Sequence, residues 1–355
     1  MIVCAFCVSG WRIMRTKQNK SIDIRKAFCL WSLICFALIG TACGTEKAKE
    51  DDFYLSITAT RRNNGIDPTD GLTTTSYIYD IAGEELSEAG QFEYTAQYPL
   101  SVYSRGDHRL YYTADDGTGN DQVFCYDDTS KNTYRLTDNL WAVNELVLTE
   151  KSIIIIAVAR GERELAPYIF DKETKELTKV QVYKDFTVKE CGLDPESERF
   201  FIGGYLESQN YKDIMDFNDY LSEENLDYWE TESTPTDSYL FELVDNYKKA
   251  EQRLFVEEHE FYGGILPLQK DSLFFQLSER AVAARSFPTT RMYFYNMDTE
   301  ELKETDLLES LPIKFAYCTK YGGYYYILGS GKEGEEYDRA IYRYDPKTEE
   351  LKALL

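Results

Sequence analysis

One short pattern recurs along the chain at a nearly fixed interval, and it limits the fold more than any other feature. An aromatic strand ending in a polar residue is written six times: Ser76-Tyr-Ile-Tyr-Asp80, Gln122-Val-Phe-Cys-Tyr-Asp127, Pro167-Tyr-Ile-Phe-Asp171, Ser238-Tyr-Leu-Phe-Glu242, Met292-Tyr-Phe-Tyr-Asn296 and Ala340-Ile-Tyr-Arg-Tyr-Asp345. The closing residues Asp80, Asp127, Asp171, Glu242, Asn296 and Asp345 are spaced by 47, 44, 71, 54 and 49 residues. Apart from one long interval, this is the repeat length of four-stranded propeller blades, roughly 40–50 residues.

The flanking sequence agrees with a hairpin unit. Asp171-Lys-Glu-Thr-Lys-Glu-Leu177, Asn296-Met-Asp-Thr-Glu-Glu-Leu302 and Asp345-Pro-Lys-Thr-Glu-Glu-Leu351 open with a side chain that bonds its own backbone two or three residues on. Upstream lie strands such as Leu100–Tyr103, Arg109–Thr113, Glu145–Leu148, Ser152–Ala157, Arg199–Ile202, Ser272–Gln276 and Gly323–Leu328. Continuous apolar runs of this kind mark strands covered on both faces. The expected fold is all-β: a six-bladed β-propeller over residues 53–355, with seven blades as the alternative. The first unit shows only three strands, so closure of the ring is expected from side-chain packing or from the segment just before Phe53. The long interval is read as a partly helical acidic insertion in the fourth blade, residues 206–236, where Ile214, Phe217, Tyr220 and Leu221 fall at helical spacing.

Within the second unit, Asp116-Gly-Thr-Gly-Asn-Asp-Gln-Val-Phe-Cys-Tyr-Asp127 followed by Thr133-Tyr-Arg-Leu-Thr137 resembles the repeat of TolB-like β-propellers. The chain also resembles bacterial lipoproteins of unknown role that carry such propellers. The resemblance implies the fold far more firmly than any activity.

The N-terminal segment carries an address. Arg25 and Lys26 precede an uncharged run, Ala27 to Gly40, which as a helix rises about 21 Å, short of the ~30 Å hydrocarbon core. A basic region followed by so short an apolar run reads as a secretory signal. It ends in Gly40-Thr41-Ala42-Cys43-Gly44, which resembles the lipobox of bacterial lipoproteins, with Gly40 where that family usually has Leu. The resemblance implies a lipid on Cys43 and removal of residues 1–42, leaving residues 43–52 as an acidic tether. Met1 to Ile13 fit this scheme poorly, and a start at Met14 gives a cleaner basic region. The expected location is the extracytoplasmic face of a bacterial membrane.

Composition narrows function mostly by exclusion. With 62 Asp+Glu against 39 Lys+Arg in 355 residues, the formal charge is −23, a poor match to nucleic-acid phosphates. Two histidines, His108 and His259, leave little room for imidazole clusters. His259 beside Glu258 and Glu260 could act as a general base, but a polar linker between blades is the commoner setting. Cys125, Cys191 and Cys318 are too scattered for a disulfide framework and are expected as free thiols, with one disulfide as the alternative. The oxygen-rich loop containing Asp115, Asp116, Asn120 and Asp121 is the one calcium candidate, although its spacing departs from the twelve-residue calcium loop. In the insertion, Tyr211, Phe217, Tyr220, Tyr228 and Trp229 stand among carboxylates and form the candidate binding surface. The expected role is a monomeric, non-catalytic binding or scaffold module for an envelope protein or glycan, without cofactor. The competing expectation is an extracellular carbohydrate hydrolase or lyase whose carboxylates meet near the propeller channel.

Overall fold

The structure, a computed structural model, describes residues 3–8, 53–62, 72–93, 95, 99–212, 236–269, 271–278, 290–307, 311, 314–330 and 340–355. These residues form six four-stranded sheets, so the chain is a six-bladed β-propeller and the seven-bladed alternative falls. The first blade holds β1 (Val3–Val8), β2 (Tyr54–Arg62), β3 (Leu72–Asp80) and β4 (Glu85–Glu93). The second holds β5 (Ser101–Ser104), β6 (Arg109–Asp115), β7 (Asp121–Asp127) and β8 (Asn132–Arg135). The third comprises β9 (Leu140–Leu148), β10 (Ser152–Ala159), β11 (Ala166–Asp171) and β12 (Leu177–Lys179). The fourth comprises β13 (Phe186–Leu193), β14 (Phe200–Leu206), β15 (Ser238–Val244) and β16 (Lys249–Val256). The fifth runs β17 (Glu260–Gln269), β18 (Ser272–Ser278), β19 (Thr290–Asn296) and β20 (Glu301–Thr305). The sixth runs β21 (Lys314–Tyr321), β22 (Tyr324–Ser330), β23 (Ala340–Asp345) and β24 (Glu350–Ala353).

Within each blade neighbours in sequence are neighbours in space, as hairpin connections favour. The three turns read from sequence bond as expected, and the turns at Asp80 and Asp127 do the same. The Asp127 carboxylate accepts from Thr129 N (3.0 Å) and Ser130 N (2.9 Å). Asp171, Asn296 and Asp345 repeat the arrangement on Glu173, Asp298 and Lys347, and Asp80 accepts from Gly83 N. The fourth unit departs because it carries Glu242. This carboxylate is buried and receives Arg199 Nε at 2.7 Å and Arg253 Nε at 2.8 Å. Burial pushes its pKa up, but the two guanidiniums outweigh burial and hold it below the usual carboxylate range. Its turn is made instead by Asp245, Asn246 and Tyr247, all at positive φ.

Burial sorts the strands by their place in the blade. β10 is buried at every residue, whereas the outermost β8 is exposed at every residue. Five apolar clusters fill the seams between blades. One spans the first three blades, others join third to fourth, fourth to fifth and fifth to sixth. The remaining cluster places Phe53, Leu55 and Tyr79 of the first blade against Tyr321, Tyr326 and Leu328 of the sixth. Phe53 and Tyr321 stack with centroids 4.1 Å apart and planes 7° apart. Side-chain packing therefore closes the ring, at roughly 1.5–3 kcal/mol for each large apolar side chain buried.

A fourth strand completes the first blade, and the sequence did not announce it. β1 pairs in parallel with β2, Val3 opposite Tyr54 and Val8 opposite Ala59. Every other pairing in the molecule's described sheets is antiparallel. The insertion begins with a short helix at residues 207–212. Residues 213–235, and with them Phe217, Tyr220, Tyr228 and Trp229, lie outside the described residues. So do Cys43 and the whole of residues 9–52, including the apolar run. Among the described residues no helix is long and apolar enough to cross a membrane.

Candidate axial site

The first strands of the blades pack against one another around the axis, with β13 against β17 and β17 against β21. Four of them share an irregularity. β9 bulges at Asn144, β13 at Lys189, β17 at Gly263 and Gly264, and β21 at Ala316, each read from a register shift against the second strand of its blade. A bulge sets two or more residues against one and re-aims the side chains beside it. Gly263 and Gly264 take φ of 76° and 91°, which glycine adopts without a Cβ penalty. The approach there is close: a Cβ on Gly192 of β13 would lie 1.6 Å from the Ile265 carbonyl oxygen of β17.

Beside these bulges lies a cavity of about 230 Å³. Asn144 and Glu145 enter from β9; Lys189, Glu190 and Cys191 from β13; and Tyr317 from β21, with Leu100, Ile156, Leu165 and Val188 as apolar wall. Glu145 is half-buried and lines this cavity. Burial, and then the charge of Glu190, raise its pKa to about 8. Burial also raises Glu190, to about 7, against the pull of Lys189 and of the Gly263 and Gly264 backbone N–H groups, while Glu260 pushes the other way. The Cys191 thiol is driven well above its ordinary range by burial and by both glutamates. Among the described residues no cation stands within ion-pair distance of either carboxylate. The arrangement is two carboxyl groups, both raised by burial, in one pocket with apolar walls.

The residues singled out from sequence have other positions. Asp115 accepts from Gly119 N (3.2 Å), and Asp116 accepts from Thr118 N (3.0 Å). The second oxygen of Asp116 pairs with Arg135 and Arg160. Two guanidiniums on that oxygen make it unsuited to holding a cation. Asn120 bonds Thr118 within the loop, and Asp121 is buried at the start of β7. Tyr211 is 61% exposed at the start of the insertion. His259 is half-buried, with Nδ1 2.9 Å from the Glu257 carbonyl oxygen. Cys125, Cys191 and Cys318 are free thiols, so the disulfide alternative falls. No group of three or more metal-ligating side chains occurs among the described residues.

No protein-family profile matches the chain, and no curated protein matches it. Solved structures match it at low identity. An oligogalacturonate lyase in complex with manganese is 14% identical, with a TM-score of 0.46 over 83% of this chain and 71% of that one. The β-propeller domain of the Trilobed protease from Pyrococcus furiosus is 12% identical, with a TM-score of 0.47 over 84% and 81%. TolB from Acinetobacter baumannii is 11% identical, with a TM-score of 0.41 over 84% and 68%.

Proposed function

We propose that this chain is a non-catalytic binding module of the bacterial cell envelope, held to the membrane through a lipid on Cys43. Its propeller presents the axial cavity, together with the insertion at 206–236, to an envelope protein or glycan. The observation that carries this reading is the cavity: apolar walls, two carboxylates, and a volume below the ~300–1,000 Å³ usual for small-molecule sites. Such a space takes a protruding side chain of a protein or a terminal group of a glycan. A crosslinked pull-down from native envelopes, run beside a glycan array, should capture a partner. Deleting Ser208 to Thr234 should weaken that capture, and Cys43→Ala should release the protein from the membrane fraction, since stable anchoring needs the acyl chains.

One observation favours a second reading, a carbohydrate hydrolase or lyase. Glu145 and Glu190 titrate near neutrality, as catalytic carboxylates do. Acid–base division of labour, however, needs two groups whose pKa values are pushed apart, and here both are raised together. Release of reducing ends from a polysaccharide, abolished by Glu145→Gln, would replace the binding reading with this one.

A further inference from the structure

We propose that the axial cavity is a receptor for a primary alkylammonium group, an inference that rests on the binding-module reading and names the chemistry its pocket accepts. The argument begins with the two carboxylates. Glu145 and Glu190 reach one cavity from adjacent blades, and among the described residues no hydrogen bond or ion pair reaches the Glu145 carboxylate, whose backbone pairs with Ile156. A buried anion without a partner is costly, and it is relieved by protonation or by a cation.

Three kinds of cation could enter, and the walls select among them. A divalent metal needs six or more oxygen ligands or near-ideal octahedral geometry. The described lining offers two carboxylates and the Asn144 amide among apolar side chains, too few to replace a hydration shell. A guanidinium is planar and prefers a bidentate fork onto a single carboxylate. An alkylammonium has a compact head with three donors on an apolar stem. Its head matches Glu145, Glu190 and the Asn144 oxygen, and its stem matches Leu100, Ile156, Leu165 and Val188. Tyr317 of β21, 41% exposed, stands in the same lining.

The remaining charged neighbours fit this occupant. Lys189 lines the cavity at the β13 bulge, yet no ion pair joins it to either glutamate. Its exposed charge lowers Glu190 from a distance and leaves room for an ammonium in closer contact. Glu260 of β17 adds negative potential, and Gly263 and Gly264 hold Glu190 in place through their N–H groups. When the ammonium binds, both carboxylates ionise. Protons held by the pair leave to solvent, so binding at pH 7.5 should release protons, and affinity should fall as pH drops toward 5.

The source of the amine is either a lysine side chain of a partner or a free amine. The test uses the purified full chain with n-butylammonium, a Gly-Lys-Gly peptide, its Nε-acetylated form, and Ca²⁺ or Mn²⁺, each titrated calorimetrically at pH 7.5 in two buffers of different ionisation enthalpy. Saturable binding of butylammonium and of the lysine peptide with proton release, and none of the acetylated peptide, is the expected result. In a Glu145→Gln/Glu190→Gln variant with unchanged far-ultraviolet circular dichroism, affinity should fall at least about tenfold. Tighter binding of the peptide than of butylammonium assigns the lysine of a partner; tighter binding of butylammonium assigns a free amine. Absence of saturable amine binding, equal binding by the double variant, or glutamate-dependent binding of the metal ions in preference to the amines would overturn the proposal. Capture of an envelope partner that persists without amine binding would sink this inference and leave the binding module standing. Amine binding with no partner ever captured would do the reverse.

Discussion

The first and fourth blades obtain their axial strands in different ways. In the fourth, β13 continues from the third blade, lies antiparallel to β14, and brings Lys189, Glu190 and Cys191 to the cavity. In the first, β1 comes from far upstream and lies parallel to β2. A strand joined by a short connection carries little loop-closure entropy, whereas one returning from a distant segment must offset it and gains slightly weaker parallel pairing. The axial position is therefore a rigid platform where the chain arrives locally and a separable element where it does not. The site sits on the rigid side.

The sharpest way to break the fourth blade's platform is Gly192→Ala. The added Cβ would meet the Ile265 carbonyl oxygen at 1.6 Å, and backbone cannot move aside as a side-chain tip can. Forcing β13 and β17 apart should cost about 3 kcal/mol or more, read as a fall in the denaturant midpoint at unchanged slope. A loss below about 1 kcal/mol would show that the two strands can part freely, and that the platform is not rigid.

On the first blade the comparable test is Phe53→Ala. Phe53 is 2% exposed and stacks on Tyr321 while touching Tyr326 at 5.1 Å between centroids. Removing the ring should cost about 3 kcal/mol, because the seam between first and last blades has no strand exchange to support it. Near-neutral behaviour in the same denaturation experiment would mean that β1, and not this seam, closes the ring.

What was legible in the sequence follows from the same contrast. Second and third strands such as Ser152–Ala159 and Ser238–Val244 are covered by neighbouring blades, so their residues must be apolar and their pattern is plain. Asp127, Asp171 and Asp345 declared their turns through side-chain bonds to the local backbone. Of the axial strands, β5 and part of β9 were legible, but β13 and β17 escape such reading. β13, with its Lys189 bulge, reads Phe-Thr-Val-Lys-Glu-Cys-Gly-Leu and breaks the period of two. β17 begins at Glu260, beside a His259 that looked like linker. Of the cavity's polar residues, Glu145 lay in a recognised strand, but nothing in sequence pairs it with Glu190 some forty residues on. The signal available in retrospect is a carboxylate next to a thiol, Glu190-Cys191, directly after Lys189.

A smaller effect, of opposite sign, is expected at the cavity itself. Folded Glu145 takes its proton at about 8, against an ordinary value of 4.5. Between those values the folded state holds more protons than the unfolded state, so stability falls as pH rises through this window. Glu145→Gln removes that dependence. At pH 9 the variant should be more stable than the parent by on the order of 2 kcal/mol, after discounting the shift for the solvent that the cavity admits. At pH 5, where folded Glu145 is protonated, the two should nearly coincide. Thermal melts at both values check this, and a variant that loses stability at pH 9 would mean that ionised Glu145 has a partner.

The smallest effect is expected from beginning the chain at Cys43, as lipoprotein processing would. This deletes β1 and leaves the axial edge of β2 unpaired. Six residues would be released, each regaining about 1–2 kcal/mol of backbone freedom. The loop from Val8 to Tyr54 would no longer need closing, which by chain statistics relieves about 3 kcal/mol. These gains offset most of the lost pairing, while the Phe53–Tyr321 seam and all five other blades remain intact. The melting temperature should therefore shift by no more than about 4 °C, and amine binding at Glu145 and Glu190 should be unchanged. Hydrogen exchange at β2 should accelerate while β14 stays protected, which would separate the two blades directly. If the shortened chain fails to fold, β1 is an integral part of the ring and residues 1–42 do not leave the mature protein.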